Sequence, residues 1–179
     1  DTTDLPDWRG DPGARARLRR CNNVFDALLV PETHELIRRG HAWADGQGFA
    51  DARLAVLAMT LPRLLPGKGP PFARLLGAYD GRSPDRDKGE RPRLSPARFA
   101  AMMRAAEQGD LNAFARALRR ALRALNLKSE TAAQMDVRRF AGDILFMSDA
   151  VRQRWAFDYW HTNRAAAGQD ADPKLETMP

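Results

Sequence analysis

A chain of 179 residues with 44% hydrophobic content can build one shared core in a single domain or in two small lobes, and is too apolar for wholesale disorder. Its net charge of +6 understates the body, because acidic ends at 1–7 and 165–179 conceal a net of +11 over residues 8–164 (28 Lys and Arg against 17 Asp and Glu). Polyanions therefore become the leading class of partner, while the single cysteine, Cys21, excludes an intrachain disulfide and a cysteine-built metal site.

In chain order, residues 1–7 are acidic and carry Pro6, which predicts a loose end. Residues 14–30, ARARLRRCNNVFDALLV, pass from a basic head into an apolar helical stretch that Pro31 stops. Arg15, Arg17, Arg19 and Arg20 crowd that head. If part of the head is loop, their guanidinium groups converge at a helix N-terminus, a natural anion site; otherwise they form a basic entry segment. Thr33 to Arg39 reads as a short helix with Gly40 at its C-cap position, and Arg38 and Arg39 neutralise its end. Residues 50–65, ADARLAVLAMTLPRLL, are apolar with few strand signals and predict a buried helix that Pro62 kinks or ends. Phe72 to Leu76 adds a turn or two.

Residues 77–93, GAYDGRSPDRDKGERPR, predict a charged loop or linker. It separates an N-terminal helical lobe, 8–76, from a C-terminal one, 94–163. Ser95 and Pro96 suit an N-cap and first helical position, Gly109 ends that helix, and Asp110 caps the next. In LNAFARALRRALRAL, 111–125, Leu111, Phe114, Leu118, Leu122 and Leu125 step by three and four and make one apolar face. Two more helices follow over 134–147 and 149–163, and 164–179 is an acidic, Ala/Gly-rich end. Alanine and arginine dominate and β-branched residues are sparse, so the fold class is all-α.

The best local functional signal is Arg116, Arg119, Arg120 and Arg123, spaced i, i+3, i+4, i+7 on one helix face with no acid between Leu111 and Asn126. Four like charges repel unless anions are supplied, by a phosphate backbone or by acids from elsewhere in the fold. Of the 29 basic residues 25 are Arg, whose planar fork suits phosphate oxygens, although a GC-rich coding bias also favours Arg. Arg138/Arg139 and Arg152/Arg154 are weaker pairs. Trp155, Phe157, Tyr159 and Trp160 are core or contact residues, or a base-stacking platform. Asp136, Asp143 and Asp158 each sit near an Arg and read as structural pairs. The histidines, His34, His41 and His161, lack metal-ligand spacing, and there is no nucleophile–base pair and no Gly-rich phosphate loop. The expectation is a chain that is not an enzyme, takes no cofactor, binds no metal, does not engage a membrane and works in the cytoplasm.

Four segments in order carry a resemblance. GARARLRRCNNVFDALLVPETHELI from Gly13, LSPARFAAMMRA from Leu94, LNAFARALRRALRAL, and MDVRRFAGDILFMSDAVRQRWAFDYW from Met135 resemble the CasB family, the small subunit of the type I-E CRISPR complex Cascade. Phe146 stands where that family often has Trp, and the acidic tail has no counterpart in its pattern. The resemblance implies a non-catalytic subunit that packs with a second copy of itself and contacts the large and backbone subunits. It implies sequence-independent binding that stabilises the CRISPR RNA–target DNA hybrid and the displaced DNA strand of the R-loop, since guide pairing supplies specificity. Arg19, Arg20, Arg119, Arg120 and Arg152 fall on basic positions of the family, and Arg98 and Arg104 match as well. The competing reading is a helical interaction or scaffold subunit whose Arg faces pair with acidic protein partners.

Overall fold

The computed structural model describes residues 11–43, 51–64, 69–78, 92–125 and 135–167. Among these the chain is all-α, with nine α-helices and no β-strand: α1 (Pro12–Arg20), α2 (Val24–Leu28), α3 (Pro31–Trp43), α4 (Asp51–Thr60), α5 (Phe72–Gly77), α6 (Pro96–Glu107), α7 (Leu111–Ala124), α8 (Val137–Leu145) and α9 (Asp149–Ala167). Most of the charged loop, all of residues 1–7 and most of 164–179 lie outside the described residues.

The helix boundaries follow from capping chemistry. Asp11, Asn23, Asp110 and Asp136 each place a side-chain oxygen on the backbone N–H three residues on, opening α1, α2, α7 and α8. Ser95 occupies the cap position of α6 with Pro96 behind it, but its hydroxyl makes no capping bond. Gly109 takes φ +69°, the left-handed conformation that turns α6 into α7.

Three sequence expectations are corrected here. The basic head is not loop: Arg15, Arg17, Arg19 and Arg20 lie inside α1, with the last three in its final turn, so they complement a helix C-terminus rather than crowd an N-terminus. Pro31 does more than stop the stretch before it, whose helix ends at Leu28: it also starts the next helix, because its missing N–H is no loss at a first helical position. The following helix does not end at Gly40 but runs on to Trp43, and Arg38 and Arg39 both hydrogen-bond Glu35 within it.

The core is organised around α4, where Leu54 to Thr60 are all buried. A helix that is apolar on every side must be surrounded, and α1, α2, α3, α7 and α8 all pack on it. Thr60 is tolerated because its hydroxyl bonds back to the carbonyls of Val56 and Leu57. Pro62 ends α4 in a short 3-10 turn, Leu61–Arg63.

A second seam joins the early and late parts of the chain, where α5 lies along α9 in the most extensive helix pairing among the described residues. Phe72 of α5 meets Phe140 of α8 edge-on at 4.9 Å and Trp155 of α9 at 5.1 Å. Phe99 of α6 stacks on Tyr159 of α9 at 4.1 Å, and the Tyr159 hydroxyl donates to the Leu94 carbonyl at 2.6 Å. The aromatic cluster therefore divides: Trp155 and Tyr159 are core, whereas Phe157 and Trp160 are exposed on the other side of the same helix.

Candidate nucleic-acid interface

The apolar stripe of α7 is buried at Phe114, Leu118, Leu122 and the following Leu125, which aims the arginines of this helix away from the core. Arg116, Arg120 and Arg123 are exposed, and none makes an ion pair with any described residue.

Arg119 behaves differently. Its side chain is half-buried, and its guanidinium reaches the C-terminal end of α1, donating from Nη1 to the Cys21 carbonyl and from Nη2 to the Arg19 carbonyl at 3.0 Å. Burial, then the neighbouring charge of Arg123, push its pKa down from the usual arginine value. The last carbonyls of a helix lack intrahelical partners and carry the negative end of its dipole, so a guanidinium there is well placed. Close by, Asn112, at the start of α7, accepts the Val24 backbone N–H at 2.9 Å and holds α2 to the same helix.

This docking brings together two arginine clusters about a hundred residues apart in sequence. Arg20 is exposed and lies between the two residues whose carbonyls Arg119 grips. It makes no ion pair among the described residues, and the half-buried Arg15 makes none either. Arg20 on α1 and Arg116, Arg120 and Arg123 on α7 are thus candidate contacts on two helices that Arg119 joins.

Of the other candidates, Arg17, Arg19 and Arg152 are engaged, whereas Arg98 and Arg104 are exposed. Arg19 donates to the Pro62 carbonyl at 3.0 Å, tying α1 to the turn after α4. Arg17 pairs with Glu32 and, at 3.9 Å, with Asp11. Arg152 pairs with Asp149 at 2.6 Å and Glu107 at 3.8 Å. Of the weaker pairs, Arg139 meets Asp158 at 3.2 Å and Arg154 meets Asp143, whereas Arg138 is exposed. Asp136 is occupied as a cap, Asp143 and Asp158 as ion-pair partners.

The Arg17–Glu32 pair makes a prediction about pH. The hydrogen bond from Arg17, more than its charge, holds the Glu32 carboxyl below the ordinary glutamate range. A lowered folded-state pKa contributes stability that is complete above the unfolded glutamate value, about 4.3, and is lost as pH falls through the lower folded value. Thermal midpoints of the parent and Glu32→Gln are expected to differ modestly at neutral pH and to converge as pH falls below the ordinary glutamate range. Calorimetry across that range checks it, and a gap that widens on acidification contradicts it.

Sequence reasoning missed the split within each cluster between exposed and engaged arginines. It also missed Asn112, whose role depends on a partner 88 residues away. Phe25 in α2 and Leu29 at its C-cap, each 67% exposed and spaced i, i+4, also escaped notice because an apolar run reads as core. Among the described residues no helix is long and apolar enough to cross a membrane. Nor, among them, are three or more His, Cys, Asp or Glu side chains grouped to hold a metal ion.

A family model described as CRISPR-associated protein Cse2 matches residues 14–160, which includes both arginine clusters and all or most of every helix that builds the core. No curated protein and no solved structure matches the chain.

Proposed function

The chain belongs to the CRISPR-associated Cse2 family, and on that premise we propose that it is the non-catalytic small subunit of an RNA-guided DNA surveillance complex. In this reading it grips nucleic-acid backbone without reading sequence, and so stabilises the guide RNA–target DNA hybrid and the displaced strand. Pairing by the guide supplies the specificity, so the subunit needs charge and spacing rather than base-reading side chains.

The observation that carries this reading is the set of exposed guanidinium groups at Arg20, Arg116, Arg120 and Arg123, which have no carboxylate among the described residues to neutralise them. Leaving several like charges together costs free energy that the negative charge of a polyphosphate offsets, and the counterions it then releases add a favourable entropy. Arg15 belongs to the same proposal as a flanking contact. The engaged arginines, Arg17, Arg19 and Arg152, would join it only if nucleic acid displaced their present partners.

Anisotropy titration of the purified protein with a labelled DNA strand and a duplex of arbitrary sequence, each at two salt concentrations, tests this. Sequence-blind binding that weakens steeply with salt is expected. Arg116→Ala/Arg120→Ala should weaken both, and flatten the log–log salt slope by about 0.9 per lost phosphate contact on duplex and about 0.7 on single strand. Unchanged affinity and slope in a variant with parental circular dichroism would remove this face from the function.

The scaffold reading is favoured by a different observation. Phe25, Leu29, Phe157 and Trp160 are large apolar side chains left exposed, in two places on the surface. Subunit contacts of a Cascade complex are the occupants we propose for them: a second copy, or the large and backbone subunits. Co-purification with those subunits, lost on replacing Phe25 and Leu29 or Phe157 and Trp160 by polar residues, tests that part separately.

A further inference from the structure

The basic surface is built from two helices, and something must fix their register. We propose that Arg119 is a positioning residue rather than a nucleic-acid contact: its guanidinium clamps the C-terminal end of α1 to α7 and thereby sets where Arg20 stands relative to Arg116, Arg120 and Arg123.

Three observations carry this. Both terminal nitrogens of Arg119 are already committed to backbone carbonyls of α1, those of Cys21 and Arg19. The side chain is half-buried, while its neighbours on the helix, Arg116, Arg120 and Arg123, are exposed. The same device recurs: Arg19 donates to the Pro62 carbonyl after α4, and Arg53 donates to the Leu145 carbonyl at the end of α8 at 2.8 Å. In this protein arginine side chains repeatedly close the carbonyl end of a helical segment from a neighbouring element. Arg119 and Arg19 act in series, so α7 holds α1 and α1 holds the turn after α4.

The clamp makes a distinction that charge alone does not. A phosphate accepts a lysine ammonium as a point charge, but two separate carbonyls are spanned by the planar guanidinium fork. Arg119→Lys keeps the charge and removes the fork.

The role in binding rests on the nucleic-acid reading above; the clamp itself does not. Two measurements on the full chain separate them. Amide hydrogen exchange reports the clamp at Asn22 and Val24, whose N–H groups are held by Asp26 and Asn112 at 2.9 Å each. Anisotropy with a labelled DNA strand reports its consequence. In Arg119→Lys, exchange at these amides is expected to quicken, and affinity to fall by roughly five- to tenfold, close to the loss in Arg119→Ala. Arg20→Ala should weaken binding in the parent but add little in the Arg119→Lys background, because Arg20 is then already out of register. Arg120→Ala should flatten the salt slope while leaving exchange at α1's end as in the parent.

Parental affinity and exchange in Arg119→Lys, together with a flattened slope in Arg119→Ala, would overturn the proposal and make Arg119 a direct phosphate contact. If the parent binds no DNA even at low salt, the nucleic-acid reading falls. The clamp then stands on exchange alone: faster in Arg119→Lys upholds it, unchanged overturns it.

Discussion

Gly77→Ala is expected to destabilise the fold by at least about 3 kcal/mol, at the top of the range for overpacked cores. A Cβ at this position would stand 2.1 Å from the Tyr159 carbonyl oxygen, with the carbonyl carbon at 2.9 Å and the Tyr159 Cα at 3.1 Å. All three are backbone atoms of α9, so no side chain can swing away to relieve the contact. The helices must part, and Phe72, Leu75 and Leu76 on α5 lose packing together. Two effects compete, since alanine is the better helix former by about 1 kcal/mol. The steric effect wins because propensity gains at most that amount, while separation disturbs the largest helix pairing described. For a chain of this length about 3 kcal/mol corresponds to a fall in Tm of roughly 6–12 °C. Calorimetry checks it, and a Tm at or above the parent's would mean that α5 and α9 stand further apart in solution. Gly77 is needed here for space, not for an unusual backbone conformation.

What was legible in the sequence follows the range of the interactions involved. Helix type and the caps at Asp110 and Gly109 depend on neighbours a few residues away, and the structure has them where the spacing predicts. The apolar stripe of α7 was equally readable, because period 3.6 with large side chains leaves one face to bury. Pro31 was only half readable, because a proline that follows the end of one helix can also open the next. The arginines were harder. Arg116, Arg119, Arg120 and Arg123 look equivalent in sequence, yet one faces the end of α1, and that fact depends on carbonyls about a hundred residues away. Likewise Trp155 and Phe157 are separated by burial against α5, which no local pattern announces.

The second large effect is expected at Asp143, which is buried and accepts from Trp155 Nε1 at 2.6 Å and from Arg154. A buried carboxylate is tolerated only when its oxygens are partnered, and both are here. Asp143→Ala orphans the indole N–H of a fully buried tryptophan, which costs about 1–3 kcal/mol, and leaves a small cavity beside it. Arg154 adds little to that cost because its side chain is 42% exposed and can turn to water. The sum is roughly 3 kcal/mol. Asp143→Asn should lose less, since its amide oxygen can still accept from Trp155 while its amide nitrogen meets the donors of Arg154. Trp155→Phe keeps most of the contact with Phe72 and removes the donor. A double-mutant cycle of Asp143→Ala with Trp155→Phe should therefore show coupling of about 1 kcal/mol or more, and additivity would mean that the hydrogen bond contributes nothing. The test also separates fold from function. The node joins α8 to α9, whereas the basic surface belongs to α1 and α7. Asp143→Ala should thus lower the denaturation midpoint while the folded protein keeps the parental salt slope for DNA. The Arg116/Arg120 variant should do the reverse. If both variants moved both quantities, the basic surface and the α8–α9 node would be one energetic unit, and the division of labour between clamp, grip and core would have to be abandoned.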